Sequence, residues 1–265
     1  MRPRKNFHPI KSLLAVIGLI GTGSHSLQAA VVIDSFADFQ MATLGAGKSN
    51  PKTIYNTGLS NAPGSIGGQR EFSIRRTSGI GGIDVNVNSF VPNAFYFATV
   101  ANAKGSALIT YDGPNAAKST YPSGVPNTFG LAGLGTTGGV DLTEDGANAL
   151  LQFSAYATGS GLPVTFTFYN SKDNWASTTL ELEGSPDLSW SVYNLKFCSF
   201  NTVGTLNALD IFRDTKAITV QLNGSNGSDA ALGAVLATPT PEPTTTGIMA
   251  LGLVGLAALA RRRAR

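Results

Sequence analysis

Paired acidic residues are the first place in this sequence where side-chain chemistry could occur. Glu181 and Glu183 lie two positions apart in a run that favours a strand, so they share a face at roughly 6.6 Å. That separation suits the acid and base of an inverting glycosidase. The alternative is a solvated outer face opposite Leu180 and Leu182, and no motif places an acid and a base across a cleft. We therefore predict no catalytic residue and no enzymatic activity, with a glycoside hydrolase as a remote alternative.

Other acidic residues could bind calcium, which prefers oxygen ligands. One cluster lies in a predicted turn, where capping of the turn is the alternative; its members are Asp141, Glu144 and Asp145. Asp229 opens the last predicted strand, and a structural calcium between the chain ends would use Asp34 or Asp38 as its partner. Apart from these weak calcium candidates, no cofactor is predicted.

Histidine and cysteine are too scarce for most other catalytic arrangements. His8 and His25 are the two histidines, and both precede residue 30 in a segment that we expect to be removed. The remainder therefore cannot form a Ser-His-Asp triad, a Cys-His pair or a His-ligated zinc site. Cys198 is the one cysteine, so no internal disulfide forms. Its position between Phe197 and Phe200 predicts a buried, small apolar residue.

Aromatic side chains could bind sugar rings, because they combine flat apolar faces with polar edges. Trp175 follows a polar loop and is the candidate sugar-binding residue. Trp190 alternates with serine and shares a face with Val192, which favours the core. Weaker candidates border a long loop rich in Gly, Pro, Ser and Thr; they are Tyr111 and Tyr121.

Alternation of apolar and polar residues recurs between the two ends of the chain and predicts short strands. Ile83–Asn88 alternates, whereas Phe95–Phe97 is apolar throughout and suits a strand buried on both faces. The other predicted strands are Arg70–Arg75, Ala107–Tyr111, Ala149–Tyr156, Val164–Tyr169, Trp175–Leu182, Leu188–Tyr193, Ala217–Leu222 and Ala231–Leu236. So many short strands with turns between them predict an all-β, two-sheet antiparallel sandwich of the jelly-roll kind.

Local signals predict two turns and little helix. Gly159-Ser160-Gly161 and Asn223-Gly224 are typical of hairpin turns. A short helical turn is predicted around Phe36–Leu44.

Both ends of the chain have the features of targeting segments. Residues 1–29 form a predicted secretory signal peptide, with a charged start, an apolar core and a cleavage site after Ala29. Residues 239–265 run from a Pro-rich lead through an uncharged apolar stretch, 244–260, to an arginine cluster at 261–265. As a helix that stretch is about 26 Å long, a short membrane span. The arginines place the C-terminus inside and residues 30–238 outside.

The positive charge of the chain belongs to these ends. The whole chain has a formal net charge of +3, but residues 30–238 hold 11 basic and 15 acidic residues, a net charge of −4. The predicted domain therefore lacks the basic surface that nucleic-acid binding requires.

The C-terminal segment resembles the PEP-CTERM protein-sorting signal of Gram-negative bacteria. The resemblance rests on Pro241-Glu242-Pro243, the apolar stretch, and the cluster of Arg261, Arg262 and Arg263, in that order. It implies recognition by an exosortase, a membrane cysteine protease-transpeptidase that cuts near the Pro-Glu-Pro tripeptide. It covers roughly a tenth of the chain.

The predicted domain, residues 30–238, is similar to carbohydrate-binding or galactose-binding-like jelly rolls. The segments that carry this resemblance are Ile66–Glu71, Val140–Thr143, Phe197–Phe200 and Ile218–Gly224. The resemblance implies a β-sandwich fold and association with polysaccharide.

These features predict an exported cell-surface or extracellular-matrix protein of the kind found in biofilms. The C-terminal helix would hold it at the inner membrane, with its domain in the periplasm, until an exosortase-like protease processes it and it reaches the surface or the medium. The domain would associate non-catalytically with exopolysaccharide or with surface proteins. A specific carbohydrate-binding module is the alternative.

Overall fold

The computed structural model describes residues 30–47, 52–56, 64–113, 134, 138–158 and 161–240. Over these residues the chain forms fourteen β-strands, one short α-helix and two 3₁₀ turns. The predicted signal peptide, 1–29, and the predicted membrane span, 244–260, lie outside them. Within the described ranges no helix is long and apolar enough to cross a membrane.

The strands form two seven-stranded sheets in which neighbours pair antiparallel. Sheet I contains β1 (Val31–Asp34), β2 (Gln40–Leu44), β5 (Ile83–Val87), β6 (Phe95–Thr99), β8 (Asn148–Ala157), β11 (Ser191–Lys196) and β14 (Asp229–Pro239). Sheet II contains β3 (Lys52–Asn56), β4 (Glu71–Gly79), β7 (Ala103–Tyr111), β9 (Leu162–Tyr169), β10 (Trp175–Leu182), β12 (Asn201–Val203) and β13 (Ala217–Gly224). The order in sheet I is β11-β8-β14-β6-β5-β2, with β1 also paired to β14, and in sheet II it is β12-β10-β9-β13-β7-β4-β3.

The two sheets bury their alternating apolar residues against each other. In β5, the side chains of Ile83, Val85 and Val87 are fully buried, as the period of two predicts. Aromatic pairs join the layers: Phe153 of β8 and Phe166 of β9 have ring centroids 4.9 Å apart. The predicted all-β sandwich is confirmed.

The two predicted hairpin turns are wrong, because each connects strands of different sheets. β8 and β9 flank Gly161 but pair with other strands, and β13 continues in sheet II through Gly224 before the chain crosses to β14. Crossing from one sheet to the other between successive strands is what makes the sandwich jelly-roll-like. A turn rich in glycine shows that the chain reverses, but it does not show in which sheet the next strand lies.

The helix lies where no helix is predicted. The α-helix α1 (Ala208–Arg213) is capped by Asn207, whose Oδ1 accepts a hydrogen bond from the Asp210 N–H at 3.0 Å. Its Phe212 stacks on Phe197 of the 3₁₀ turn Phe197–Ser199, with ring centroids 4.0 Å apart. The helical turn predicted around Phe36–Leu44 is wrong, since Gln40–Leu44 is β2 and pairs with β5.

A buried ion pair joins the end of β1 to the residue that precedes β4. The Arg70 guanidinium lies 2.7 Å from the Asp34 carboxylate, and both side chains are almost fully buried. The Arg70 guanidinium also donates to the Gln40 Oε1 at 3.0 Å, and the Tyr111 hydroxyl donates to Asp34 at 2.7 Å. The ring of Phe72 covers the guanidinium, with its centroid 5.4 Å from the guanidinium carbon. Burial raises the pKa of Asp34, while the charge and hydrogen bonds of Arg70, followed by the Tyr111 hydroxyl, oppose that rise.

Candidate functional site

Four aromatic side chains, named here the aromatic platform, line up across the outer face of sheet I. They are Phe90, Tyr96, Tyr156 and Trp190. Tyr96 of β6 and Tyr156 of β8 both pair in register with Ala231 of β14, so they lie on either side of that strand. Each alternates with core residues of its own strand, which directs it outward.

The two ends of the platform are more exposed than its centre. Trp190 directly precedes β11 and continues the row beside Tyr156, with ring centroids 5.0 Å apart in an edge-on arrangement. Phe90 extends the row at the other end, with its ring centroid 5.7 Å from that of Tyr96. Phe90 is 75% exposed and Trp190 42%. The row therefore presents apolar rings to the solvent at two separated points.

Small residues on β14 allow the rings to lie close to the sheet. Ala231 is fully buried between the two tyrosines. At Gly233 an added Cβ would clash with the Ser154 hydroxyl and lie 3.5 Å from the ring of Trp190. A larger side chain at residue 233 would therefore displace the tryptophan.

The platform is long enough for an extended ligand. The strands from β5 to β11 are separated by four inter-strand steps, which corresponds to about 19 Å. The row crosses the strands rather than following one of them. A ligand lying along the row would therefore contact several strands at once.

Two carboxylates lie in a parallel row beside the aromatic rings. Asp84 of β5 and Asp229 of β14 both pair in register with Ala98 of β6. Burial raises the pKa of Asp229, and a hydrogen bond from Tyr96 opposes that rise. Burial, followed by the nearby charge of Asp229, raises the pKa of Tyr96 to about 12. The Tyr96 hydroxyl therefore stays protonated at physiological pH and is held by an acceptor carboxylate.

This arrangement combines the two kinds of contact that a polyhydroxylated ring requires. Flat apolar surfaces can stack on the C–H faces of a sugar. The tyrosine hydroxyls and the carboxylates of Asp84 and Asp229 can donate to or accept from its hydroxyl groups.

The prediction that Trp190 lies in the core is wrong, whereas sugar binding by Trp175 stays a prediction. Trp175 opens β10 in sheet II, away from the platform, and is half-buried with its ring centroid 6.4 Å from that of Tyr169. Trp190, predicted to lie in the core, is exposed. It does share a face with Val192, but that face is the outer one, since Val192 is 64% exposed. The alternation was interpreted correctly and the direction of the face was not.

The weaker aromatic candidates do not reach the platform. Tyr111 is fully buried and its hydroxyl donates a hydrogen bond to Asp34, so its ring is not available to stack on a sugar. Tyr121 lies outside the described residues.

The platform residues come from four separate segments, and among them the sequence singles out only Trp190, which its pattern assigns to the core. The apolar run Phe95–Phe97 predicts a strand buried on both faces, but Tyr96 is only half-buried, because β6 has an outer face. The sequence pattern that could have identified the outward-facing tyrosine is the alternation of Tyr156 with the alanines on either side of it.

Some of the acidic candidates are exposed, and another accepts hydrogen bonds within its own turn. Glu181 and Glu183 are exposed at the end of β10, which agrees with the solvated face given as the alternative. Asp141 accepts hydrogen bonds from the N–H of Thr143 at 2.8 Å and the N–H of Asp145 at 3.0 Å. Partial burial raises the pKa of Asp141, but the hydrogen bond from the Thr143 hydroxyl, followed by these backbone bonds, outweighs burial and lowers the pKa. The capping alternative for this turn is confirmed.

The calcium site predicted between the chain ends is wrong. The Arg70 guanidinium binds the Asp34 carboxylate and the Asp38 backbone carbonyl, so a protein cation takes the place assigned to the metal. Asp34 pairs with Val235, six residues along β14 from Asp229, which corresponds to about 20 Å. No group of three His, Cys, Asp or Glu side chains within the described ranges is placed to hold a metal.

Cys198 is exposed, contrary to the prediction of a buried residue. It occupies the middle of the 3₁₀ turn Phe197–Ser199, whose neighbours Phe197 and Phe200 are both buried. Residues three apart eclipse each other in a 3₁₀ turn, so the two phenylalanines face inward together and the cysteine faces out.

The fold and the outer-face site define an all-β sandwich with an aromatic row across one sheet. At its end, residues 239–263 match the PEP-CTERM protein-sorting motif, which confirms the resemblance of the tail. The matched segment includes Pro241, Glu242, Pro243 and the arginines 261–263, which lie outside the described residues. The motif indicates a secreted protein that is anchored in the membrane and then processed by an exosortase.

The sandwich is similar to several solved structures. One is the family 11 carbohydrate-binding module of a Clostridium thermocellum cellulase, with a TM-score of 0.34 and 9% identity over 80% of this chain and 95% of that chain. Another is TmCBM61 in complex with β-1,4-galactotriose, with a TM-score of 0.30 and 13% identity over 76% of this chain and 89% of that chain. The agarase AgWH50C has a TM-score of 0.36 and 9% identity over 80% of this chain and 26% of that chain. No curated protein matches the sequence.

Proposed function

We propose that this is an exported surface or matrix protein whose sandwich associates non-catalytically with exopolysaccharide through the aromatic platform. The observation that carries the proposal is the alignment of Tyr96, Tyr156 and Trp190 across three strands, with Asp229 beside them. Stacking surfaces next to hydroxyl and carboxylate groups match the alternating apolar faces and hydroxyl edges of a sugar chain.

The C-terminal sorting motif indicates where in the cell the protein would perform this role. The matched motif supports one part of the proposal, namely export, transient anchoring and processing by an exosortase-type protease. We infer that the domain faces the periplasm before processing and the cell surface or medium afterwards. Replacing Arg261, Arg262 and Arg263 together should abolish processing, as read by the apparent mass and location of the protein in cell fractions. Unchanged processing in that variant would remove the sorting part of the proposal.

The domain is proposed to bind without catalysing a reaction. Asp84 and Asp229 lie on either side of Ala98, and Tyr96 holds Asp229 by a hydrogen bond. Both carboxylates project from an outer sheet face next to aromatic rings, an arrangement that favours binding contacts. Incubation of the protein with each polysaccharide that it binds should release no reducing sugar.

Two forms of the binding role are separable by selectivity. A matrix protein would bind several polysaccharides weakly, whereas a specific carbohydrate-binding module would bind one class saturably. Affinity electrophoresis of the full-length protein in gels containing β-glucan, galactan, mannan, alginate or xanthan distinguishes them. Retardation by at least one polysaccharide supports the proposal, and migration unchanged in all five gels contradicts it.

A further inference from the structure

The two carboxylates beside the aromatic platform are separated by an open space. Asp84 and Asp229 each pair in register with Ala98, so they lie on the same face of sheet I, two strand spacings or about 10 Å apart. Ala98 has only a methyl group to fill that space, and all three residues are partly exposed. A ligand that lies on the platform can therefore reach both carboxylates from the solvent.

The charge of these carboxylates acts on the tyrosines of the platform. Burial, followed by the charge of Asp229, raises the pKa of Tyr96 to about 12, and the charge of Asp84 contributes in the same direction. Burial, followed by the charge of Asp229, also raises the pKa of Tyr156. Both shifts mean that a negative charge on either ring is disfavoured. An anionic group on a bound ligand would meet the same repulsion.

The strands of sheet I place no cation close enough to offset this charge. Lys196, at the end of β11, is the one basic residue in those seven strands, all of which the structure describes. It lies six residues beyond Trp190, which corresponds to about 20 Å along the strand. The described loops 88–94 and 225–228, which lead into β6 and β14, contain no charged residue.

Acidic and apolar side chains lie at the two ends of the platform. The segment that leads into Trp190 contains Glu183 and Asp187, both exposed. At the opposite end, Phe90 and Met41 of the edge strand β2 are exposed apolar side chains. An apolar surface that displaces water from an anion cannot replace its hydration. Both kinds of side chain therefore disfavour a negatively charged ligand.

We propose that the platform selects its polysaccharide by charge, binding an uncharged polysaccharide and excluding one that carries uronic acids. This inference rests on the proposed function and assigns the ligand class of the same site. The hydroxyl groups of a neutral sugar can donate to Asp84 and Asp229, which need donors when the ligand displaces water. A uronate carboxylate above Ala98 would lie about 5 Å from each aspartate, measured along the sheet, where like charges repel.

The test compares one polysaccharide with two derivatives of itself in affinity gels. The parent is the neutral polysaccharide that retards the protein most. Oxidation of its primary hydroxyls to carboxylates gives a uronic acid form with the same backbone, and methyl esterification of that form removes the charge again. The gels are run at about pH 8, which keeps the aspartates charged.

The basic tail must not bind the anionic polymer by itself. The full-length protein therefore carries Arg261→Gln, Arg262→Gln and Arg263→Gln in every comparison. The oxidised polymer should bind at least about tenfold more weakly than the parent, and its methyl ester should recover most of that loss. Raising the ionic strength from about 0.01 to 0.1 M shortens the screening length from about 30 to 10 Å, so the difference should narrow.

Variants identify the charges responsible. Asp84→Asn combined with Asp229→Asn keeps the shape of both side chains and removes their charge. The ratio of the affinities for parent and oxidised polymer should fall at least about threefold in this double variant. Asp173→Asn changes an exposed aspartate of the β9–β10 turn in sheet II and should keep the ratio of the unsubstituted residue. Melting curves show whether each variant is folded, and the salt dependence needs no variant at these positions.

Four results would overturn selection by charge while leaving polysaccharide binding intact. They are equal retardation by parent and oxidised polymer, a methyl ester that binds as weakly as the oxidised form, a ratio unchanged in the double variant, and retardation by alginate or xanthan but by no neutral polysaccharide. Migration unchanged in every gel is a different outcome, because it contradicts the proposed function itself and this inference with it.

Discussion

Replacing Arg70 by methionine is expected to destabilise the protein strongly, because the Asp34 carboxylate would remain buried without its cation. Arg70 is 1% exposed and Asp34 is fully buried, so water cannot replace the guanidinium. Removing one partner of a buried ion pair costs about 3–5 kcal/mol. For a domain of this length, that lowers the melting temperature by about 6–20 °C, which thermal unfolding followed by circular dichroism measures.

The loss of stability in Arg70→Met should depend on pH in a defined direction. Burial raises the pKa of Asp34, and Arg70 supplies the largest opposing effect. Without Arg70, the folded-state pKa rises further above the ordinary value of 3.8, so the folded variant takes up a proton before the unfolded chain does. The variant is therefore stabilised relative to the wild type as the pH falls from about 7 towards 4.

Two further variants complete this test. Arg70→Met combined with Asp34→Leu removes the unpaired charge and should recover part of the loss. Recovery stays incomplete, by about 1–3 kcal/mol, because the Tyr111 hydroxyl and the Phe36 N–H lose their acceptor. Lys104→Met, at an exposed position of β7, should cost less than about 1 kcal/mol. The reasoning is refuted if Arg70→Met costs under about 1 kcal/mol, or if the double variant is no more stable than the single one.

Three other perturbations have defined outcomes. Gly233→Val should weaken polysaccharide retardation in affinity gels about tenfold, because the new side chain displaces Trp190, while costing about 1–3 kcal/mol of stability. Acidification should also weaken the retardation in affinity gels, because Asp229 then loses its charge. Since burial raises the pKa of Asp229, this loss should begin at a higher pH than for an ordinary aspartate. Asp229→Asn should remove this pH dependence. Burial, followed by the charge of Glu71, raises the pKa of Asp112 to about 7, so the stability of the wild type should fall as the pH rises from about 4 to 7. Asp112→Asn should flatten that dependence and gain about 1–2 kcal/mol at pH 8 in denaturant unfolding.

Each of these expectations has an outcome that contradicts it. Gly233→Val that binds like the wild type would show that Trp190 does not contact the ligand. A pH dependence of binding that persists in Asp229→Asn would assign the titration to another group. An Asp112→Asn variant that keeps the wild-type stability profile would mean that Asp112 is not the titrating carboxyl.

The alternation of apolar residues predicted most of the central strands, because each has one face in a core. Ile83, Val85 and Val87 are fully buried along β5, as expected. Edge strands could not be predicted in the same way. β12 is three residues long and wholly exposed, so burial leaves no periodic signal in its sequence.

The period of two identifies residues that share a face, but not which face is buried. Trp190 and Val192 share a face, and only the pairing of β11 with β8 at the edge of sheet I shows that this face is outside. The platform could not be predicted for the same reason. Tyr96 and Tyr156 are 60 positions apart in the sequence, and their shared pairing with Ala231 exists only in the folded sheet.

The buried ion pair also could not be predicted from local sequence patterns. Asp34 and Arg70 are 36 positions apart. From the sequence alone, Asp34 is an acid near one end of the domain, which predicts a calcium ligand. In the fold, the complementary charge comes from Arg70, which the sequence places only at the start of a predicted strand and in a segment that resembles a jelly-roll family. The predicted calcium ligand is therefore one partner of a buried ion pair within the protein.

The most direct test of the proposed function compares two tryptophan variants of the full-length protein. Trp190→Ala removes one of the two exposed ends of the aromatic platform, whereas Trp175→Ala removes a half-buried ring from sheet II. Affinity electrophoresis in the polysaccharide that retards the wild type most should show at least about tenfold weaker binding for Trp190→Ala, the scale of an aromatic hot spot. Trp175→Ala should bind like the wild type, with melting curves confirming that both variants are folded. Equal binding by Trp190→Ala and the wild type, or loss in Trp175→Ala alone, would contradict binding at the aromatic platform.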